Sequence, residues 1–169
     1  MNETRRLYVL RHAKSSWDNP GERDHDRPLS PRGKRAVKLL ARYVHENQIK
    51  PELTLCSTAR RAIETLEGVD PPGERVIESL LYGAGYEQLM DRLRQLPADL
   101  RSVMIVGHNP GLQVLVVRLA RGGEGLEEIR RKYPTGALAT LDFAARWNQI
   151  EADVAELIGY VSPRALQHQ

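Results

Sequence analysis

The sequence predicts an α/β fold with three layers, α/β/α, around a mainly parallel central sheet. Short apolar runs rich in β-favouring residues alternate along the chain with segments whose apolar residues recur at helical spacing. Strands that alternate with helices in this way form parallel sheets that are covered on both faces. The last two strand candidates follow one another with no helix between them, which predicts at least one antiparallel neighbour.

The first half of the chain contains three strand candidates and two helices. Ser30 and Pro31 are typical of an N-cap and a first helical position, so they mark the start of the first helix. The helix that follows has an apolar stripe opposite a charged face, as expected of a helix on a core. In chain order the elements are a strand at 7–10, a polar loop at 16–29, a helix from 30 to about 47, a strand at 53–57, a helix from about 59, a turn at 68–73 and a short strand within 74–81.

The second half continues the alternation and ends in two strands. Asn109 and Pro110 are expected to be the N-cap and first residue of the fourth helix. Residues 122–133 are polar, charged and glycine-rich, so a mobile connection is predicted there, and the tail after Pro163 is expected to fray. In chain order the elements are a helix over 86–96, a strand at 102–106, a helix over 112–119, the connection, a strand at 137–143 and a strand around 154–161.

Composition indicates an ordinary globular protein with a mild excess of positive charge. The chain has 169 residues, 41% hydrophobic and 28% charged, which fits one domain over residues 1–169. No apolar run is long enough to cross a bilayer, no signal peptide is evident, and one cysteine excludes an internal disulfide. We therefore expect a cytoplasmic location and no membrane partner. The net charge is +3, but aromatic residues are 5% and no nucleic-acid-binding motif is present, so nucleic acid is disfavoured.

Three strands end in side chains that suit phosphate chemistry. The first strand is followed by Arg11 and His12. The second ends at Ser57, with Arg61 in the next helix, and a later strand ends before His108 at a helix N-terminus. Because the carboxyl ends of parallel strands share one edge of a sheet, these groups are expected to converge on one pocket. Taken alone, the Arg11-His12 pair also fits a solvated loop, and Arg61 also fits a solvated helix surface.

The convergent groups suit a phosphoryl group better than a metal ion. Guanidiniums bind phosphate oxygens in a forked geometry, and a helix N-terminus attracts anions. The same positive charge would repel a cation, and the sequence lacks the histidine spacing of common metal sites. We therefore expect neither a metal nor a diffusible cofactor.

Five segments of the chain carry a resemblance to a known family. They are Leu10–Ser15, Arg27–Ser30 with Gly33, Ser57–Thr65, Val106–Pro110 and Pro134–Leu138. In this order they resemble the histidine phosphatase superfamily, with its phosphoglycerate mutase-like fold, and within it the small SixA-like phosphohistidine phosphatases. The family's usual Arg-His-Gly is Arg-His-Ala here. Any backbone angle at Ala13 that only glycine adopts is therefore in question.

The resemblance implies a phosphatase that acts through a phosphohistidine intermediate, with His12 as the nucleophile. Arg11, Arg61 and His108 would complete the phosphate pocket. The chemistry of these residues supports the same roles, because nearby arginines disfavour the cationic imidazole and a nucleophilic imidazole must be unprotonated. Attack on phosphorus spreads charge over three oxygens, which guanidiniums stabilise.

The proton donor to the leaving group stays open. Asp18 in the first loop and Glu78 upstream of Tyr82 are the two candidates, and each also fits an ordinary surface carboxylate. An alkoxide leaving group needs a proton, whereas the imidazole of a phosphoramidate leaves more easily.

Other chemically notable residues have ordinary interpretations. His25 and His45 are interpreted as surface residues, and Cys56 as a small hydrophobe in the second strand. Trp17 either forms a wall of the pocket or covers the loop. Thr135 and Gly136 either approach the phosphate or form a turn.

By resemblance, the substrate is a phosphohistidine-bearing protein. A small-molecule phosphomonoesterase of the same superfamily is the alternative enzyme, acting on a small phosphoester. A phosphate-binding module without turnover is the alternative from another class of protein.

Overall fold

A central sheet of seven strands runs through the protein, whose computed structural model describes residues 3–168. In chain order the strands are β1 (Arg5–Arg11), β2 (Leu53–Ser57), β3 (Glu74–Glu78), β4 (Ser102–Gly107), β5 (Ala120–Gly122), β6 (Leu138–Phe143) and β7 (Ala155–Val161). Their order across the sheet is β3-β2-β4-β1-β6-β7-β5. Strands β1 to β4 are mutually parallel, whereas β6 is antiparallel to both β1 and β7. The predicted mainly parallel sheet with an antiparallel neighbour is confirmed.

Helices cover both faces of this sheet. They are α1 (Pro31–Glu46), α2 (Arg60–Val69), α3 (Tyr86–Arg94), α4 (Gly111–Leu119), α5 (Leu126–Arg131) and α6 (Pro163–Gln167). Helices α1, α2 and α6 bury their apolar residues in one core, and α3, α4 and α5 in the other. Within residues 3–168, no helix combines the length and apolarity that a membrane crossing needs.

The central strand β1 contributes to both cores. Leu7 and Val9 pack in the core with α3, α4 and α5, whereas Tyr8 and Leu10 pack in the core with α1 and α2. Successive side chains of a strand point to opposite faces, so an almost continuously apolar run fits a strand buried on both sides. This burial explains why the run lacks the polar alternation of a surface strand.

Register places the ends of three strands side by side. Arg11 pairs with Gly107 across β1 and β4, and Cys56 pairs with Val106 across β2 and β4. The residues that follow these pairs therefore leave the sheet at the same edge, as the parallel arrangement predicts.

The connection at 122–133 is the main error of the sequence-based prediction. In place of a mobile segment, this region contains the end of β5 and the helix α5. Leu126 and Ile129 are buried three residues apart, a spacing that puts both on one face of the helix, and Tyr133 beyond the helix is buried as well. High charge and several glycines hide this short apolar pattern in the sequence.

The C-terminal tail and the start of α4 also differ from the prediction. The tail expected to fray forms α6, whose N-cap Ser162 accepts a hydrogen bond from the Ala165 N–H, and Leu166 is buried on the sheet. Helix α4 begins at Gly111 with Pro110 as its N-cap residue, one position later than predicted. The Asn109 side-chain oxygen nevertheless accepts a hydrogen bond from the Gln113 N–H at 3.3 Å, which caps the helix.

Gly33 allows α1 to pack against the chain that leaves β1. The Lys14 carbonyl oxygen accepts hydrogen bonds from the Ser30 N–H at 2.9 Å and the Ser30 hydroxyl at 3.1 Å. The Ser30 oxygen in turn accepts the Gly33 N–H at 3.0 Å. A Cβ at Gly33 would overlap the Lys14 carbonyl oxygen. Only glycine leaves room for this approach.

We predict that Gly33→Ala lowers the free energy of unfolding by roughly 1–3 kcal/mol, because the added Cβ forces α1 away from the Lys14 backbone. Urea denaturation measures the change. The matched control is Gly21→Ala, where a Cβ meets the Asn19 side chain at an ordinary 3.7 Å. The control is expected to change stability by less than about 0.5 kcal/mol. Equal unfolding midpoints for the two variants would contradict the packing argument.

Candidate active site

His12 directly follows β1, and its surroundings fix which ring nitrogen carries the proton. The side chain is buried, and its Nδ1 lies 2.7 Å from the carbonyl oxygen of Ala13. A carbonyl oxygen only accepts hydrogen bonds, so Nδ1 is the protonated nitrogen in the neutral ring. The lone pair is therefore on Nε2, which is the nitrogen available for attack.

His108 lies beside His12, with 5.1 Å between the two ring centroids. Its Nε2 is 2.8 Å from the hydroxyl oxygen of Ser57, which also accepts the Ala59 N–H at 3.2 Å. The Ser57 hydroxyl proton is free to be donated to Nε2 of His108. In that arrangement Nδ1 of His108 carries the proton and is a hydrogen-bond donor.

Arg11 is positioned by a residue that sequence reasoning left out. Its Nη1 donates to the carbonyl oxygen of Tyr133 at 2.9 Å, and the Asn109 amide donates to the same oxygen at 3.0 Å. The fully buried Tyr133 hydroxyl donates to the Val9 carbonyl at 2.5 Å. The segment after α5 therefore fixes the guanidinium next to β1.

Arg61 lies in the first turn of α2 and points inward. Its side chain is 8% exposed, whereas that of Arg60 is 55% exposed and lies near Glu22 and Glu64. The guanidinium of Arg61 donates to the Asp24 carbonyl oxygen at 2.7 Å and to its carboxylate at 3.1 Å. Arg61, the arginine that sequence analysis named for the pocket, is therefore the buried one of the two.

Three buried nitrogens of this cluster have no hydrogen-bond partner among the described residues. They are Nε of Arg11, Nε of Arg61 and Nδ1 of His108. Unpartnered buried polar groups cost free energy and are rare in folded proteins. Their grouping around His12 makes a set of donors suited to the oxygens of a tetrahedral anion.

Burial and positive charge keep both imidazoles neutral. The pKa of His12 is lowered to about 3, mainly by burial and further by His108, Arg61 and Arg11. Burial followed by the Arg61 charge lowers the pKa of His108 to about 4. Burial also lowers the pKa of Arg11, with the neighbouring Arg61 adding to the shift. At neutral pH, Nε2 of His12 therefore keeps its lone pair.

Thr65 connects the two halves of the cluster. Its hydroxyl oxygen accepts the Ala13 N–H at 3.0 Å and its proton is donated to the Arg61 carbonyl at 2.7 Å. The loop after His12 is thereby tied to the helix that carries Arg61. Ala13, which stands where the family usually has glycine, is not among the residues with a positive φ. Its backbone conformation therefore does not require glycine.

A rim of three side chains was not predicted as part of the site. The Asp24 carboxylate accepts a hydrogen bond from the Tyr82 hydroxyl at 2.6 Å. The Tyr82 ring lies edge-on to His108 and His25, with centroid distances of 5.6 and 4.8 Å. His25 lies on the loop with 38% of its side chain exposed, and its Nε2 is 2.9 Å from the Thr58 hydroxyl. The charged run in the first loop was the available signal for this rim.

The two candidate acids are not placed as proton donors. Asp18 is exposed, and only its backbone N–H is hydrogen-bonded, to the Ser16 hydroxyl. Glu78 ends β3 at the same edge as Ser57, but Arg92 holds its carboxylate with bonds of 2.7 and 2.8 Å.

The other nearby carboxylate, Asp24, is an anion at neutral pH. The Tyr82 hydrogen bond lowers its pKa to about 2, with Arg61 and Arg27 contributing further. It therefore carries a negative charge where it is hydrogen-bonded to Arg61.

The remaining singled-out residues have structural roles. Cys56 is buried, and burial raises its pKa to about 12, as expected of a small hydrophobe. Trp17 is 69% exposed with the Arg27 guanidinium 3.4 Å from its ring centre, so it covers the loop. His45 is exposed on α1. The Gly136 N–H donates to the carbonyls of Arg11 and His12, so the turn at 135–136 is tied to the end of β1.

Metal-ligating side chains do not cluster in the part of the chain that the structure describes. No three histidine, cysteine, aspartate or glutamate side chains there come together as ligands of one ion.

Comparison with known proteins identifies the family. The model of the histidine phosphatase superfamily (branch 1) matches residues 7–80. The uncharacterized protein Rv1276c of Mycobacterium tuberculosis is 37% identical over 161 residues, which cover 92% of this chain and 100% of that protein. The chain belongs to the histidine phosphatase superfamily.

Solved structures place the chain among the SixA-like members of this superfamily. Two of them are each described as a "putative phosphohistidine phosphatase SixA". The structure from Nakamurella multipartitia is 28% identical with a TM-score of 0.83, and the match covers 95% of this chain and 96% of that one. The structure from Agrobacterium tumefaciens is 29% identical with a TM-score of 0.77, and covers 94% and 98%. The predicted phosphoglycerate mutase-like fold is confirmed.

We predict that Thr65→Val destabilises the protein by roughly 1–3 kcal/mol, because the isosteric side chain leaves the buried Ala13 N–H unpaired. Turnover should fall as well, since the loop after His12 loses its tie to α2. The matched control is Thr54→Val. Thr54 is equally buried, but its hydroxyl has no partner among the described residues. Urea denaturation should show the control to be neutral or stabilised, and equal losses for both variants would refute the role of Thr65.

We predict that both active-site imidazoles remain neutral down to about pH 5 in the folded protein, because their pKa values lie near 3 and 4. The neutral ring is the nucleophilic form, so acid inactivates the site only as pH falls through these values. Nitrogen-15 NMR of histidine-labelled protein measures the titration directly. A midpoint for His12 close to the ordinary value of about 6.5 would show that burial does not control its charge.

Proposed function

We propose that this phosphatase uses His12 as its nucleophile, forms a phosphohistidine intermediate and acts on phosphohistidine in proteins. The proposal treats residues 1–169 as one catalytic domain. The observation that carries it is the buried, neutral imidazole of His12, whose free Nε2 lies among unpartnered donors of Arg11, Arg61 and His108. A nucleophile with anion-binding donors around it is the arrangement that phosphoryl transfer requires.

The first step transfers the phosphoryl group to the enzyme. The Nε2 lone pair of His12 attacks phosphorus, a P–N bond forms, and the bond to the leaving group breaks with its electron pair on the leaving atom. Arg11, Arg61 and Nδ1–H of His108 stabilise the charge on the three equatorial oxygens. The Nδ1–H of His12 donates to the Ala13 carbonyl throughout, and this hydrogen bond stabilises the ring as positive charge develops on it.

The second step regenerates the enzyme. Water attacks phosphorus opposite His12, the P–N bond breaks, and the electron pair returns to Nε2. The water protons leave with inorganic phosphate or pass to solvent. No metal or cofactor takes part in the proposed steps.

The surroundings of the acidic residues support a phosphohistidine substrate. Glu78 is held by Arg92, and Asp24 is ionised beside Arg61. An alkoxide would need a proton from such a group, whereas a phosphohistidine protonated on its other nitrogen leaves as neutral imidazole. The site therefore favours a substrate whose leaving group needs little acid catalysis.

Isolation of the phosphorylated enzyme, followed by a test of whether its label survives acid and base, tests this function. After brief reaction with ³²P-labelled phosphohistidine peptide in the presence of EDTA, the protein is expected to carry an acid-labile, base-stable label. His12→Ala should abolish the label and lower turnover roughly a thousandfold or more. The matched control is His45→Ala, an exposed position on α1 that should keep both.

Substrate profiling decides between the proposed function and its alternatives. Peptide phosphohistidine should be hydrolysed with a higher kcat/KM than sugar phosphates. The reverse order would indicate a small-molecule phosphomonoesterase. Binding of phosphate without any turnover would indicate a binding module, and each of these results would contradict the proposal.

A further inference from the structure

A groove of about 460 Å³ adjoins the candidate active site and shares Arg11 with it. His12, Arg61 and His108 do not line this groove. Its walls come from the chain after β1, the start of α1, the connection between α5 and β6, and the start of α6. Arg11 is therefore the residue through which the groove meets the candidate site.

The lining of the groove is strongly cationic. It contains five cationic side chains and one carboxylate, that of Glu128. The five cations are Arg11, Lys14, Arg32, Lys132 and Arg164. The groove lining is more positive than the chain as a whole, whose net charge is +3. Concentrating charge of one sign in a groove attracts groups of the opposite sign.

These five cations form no ion pairs within residues 3–168. Several arginines elsewhere are paired with carboxylates, as Arg92 is with Glu78 and Arg121 is with Glu156. No such pair involves a lining residue of the groove among the described residues. The positive charge is therefore available to an incoming ligand.

The exposure of the cations indicates the class of ligand. Lys14, Arg32, Lys132 and Arg164 are all solvent-exposed, in contrast to the buried guanidinium of Arg61. A subsite for a small molecule encloses most of its ligand. Exposed charges along an open groove instead steer and orient a macromolecule of complementary charge.

We propose that this groove binds acidic side chains that flank the phosphohistidine of the protein substrate. The inference rests on the proposed function, because it adds sequence preference to the same site. Each exposed ion pair contributes modestly, and several together lower the KM without changing the chemical step. Lys132 and Arg164 are the specificity-determining residues that can be changed without touching the catalytic cluster.

Two peptides phosphorylated on one histidine test the proposal, one flanked by aspartate and glutamate, the other by asparagine and glutamine. The wild-type KM for the acidic peptide should be about three- to tenfold lower, with similar kcat. This preference should vanish in about 1 M salt, where the screening length is about 3 Å. A preference of the same size in high salt would overturn the electrostatic explanation, as would equal KM values in low salt.

Matched double variants locate the effect. Lys132→Gln with Arg164→Gln should remove the preference while leaving turnover of the neutral peptide unchanged. The control pair is Lys50→Gln with Arg146→Gln, which also removes one lysine and one arginine charge. Both positions are exposed, Lys50 just before β2 and Arg146 just after β6, at the sheet edge opposite the candidate site. This pair should retain the preference. Retention by the first pair, or loss by the second, would overturn the assignment.

Inhibition of the hydrolysis of a chromogenic phosphoester measures binding in the groove independently of phosphohistidine hydrolysis. An unphosphorylated acidic peptide should inhibit wild type more strongly than the Lys132 and Arg164 double variant. If neither phosphopeptide is hydrolysed but this difference persists, the proposed substrate is wrong and the groove assignment holds. Stronger inhibition by a short RNA than by the acidic peptide would overturn the proposal in favour of nucleic acid.

Discussion

The candidate active site depends on keeping the imidazole of His12 neutral although two guanidinium groups lie beside it. Burial of His12 beside Arg11 and Arg61 penalises its protonated form, so the ring keeps a lone pair at neutral pH. The Ala13 carbonyl selects the tautomer and leaves that lone pair on Nε2. The same guanidiniums that hold the ring neutral are placed to stabilise a phosphoryl group. In the proposed mechanism, one electrostatic arrangement therefore prepares both the nucleophile and its target.

The scaffold maintains this arrangement through contacts between segments far apart in the chain. Parallel register brings the ends of β1, β2 and β4 to one edge. Thr65 ties the loop after β1 to α2, and the Tyr133 carbonyl fixes Arg11. The cluster leaves buried donors unpartnered among the described residues, which costs stability. Two apolar cores, one on each face of the sheet, offset that cost.

Local patterns in the sequence predicted the sheet and the elements of the cluster, because strand periodicity and motif order are encoded by neighbouring residues. The inward side chain of Arg61 followed from its place in a motif. The contacts that position the cluster were not predictable in this way. Tyr133 lies 122 residues from Arg11, and Tyr82 lies 58 from Asp24. The pairing of Glu78 with Arg92 likewise depends on how a strand and a helix pack.

A crystal structure with orthovanadate tests the central claim most directly, because vanadate adopts the trigonal bipyramidal geometry of phosphoryl transfer. We expect vanadium bonded to Nε2 of His12, with its equatorial oxygens hydrogen-bonded to Arg11, Arg61 and His108. Vanadate bound elsewhere, or bound here with His12 turned away from the metal, would contradict the account.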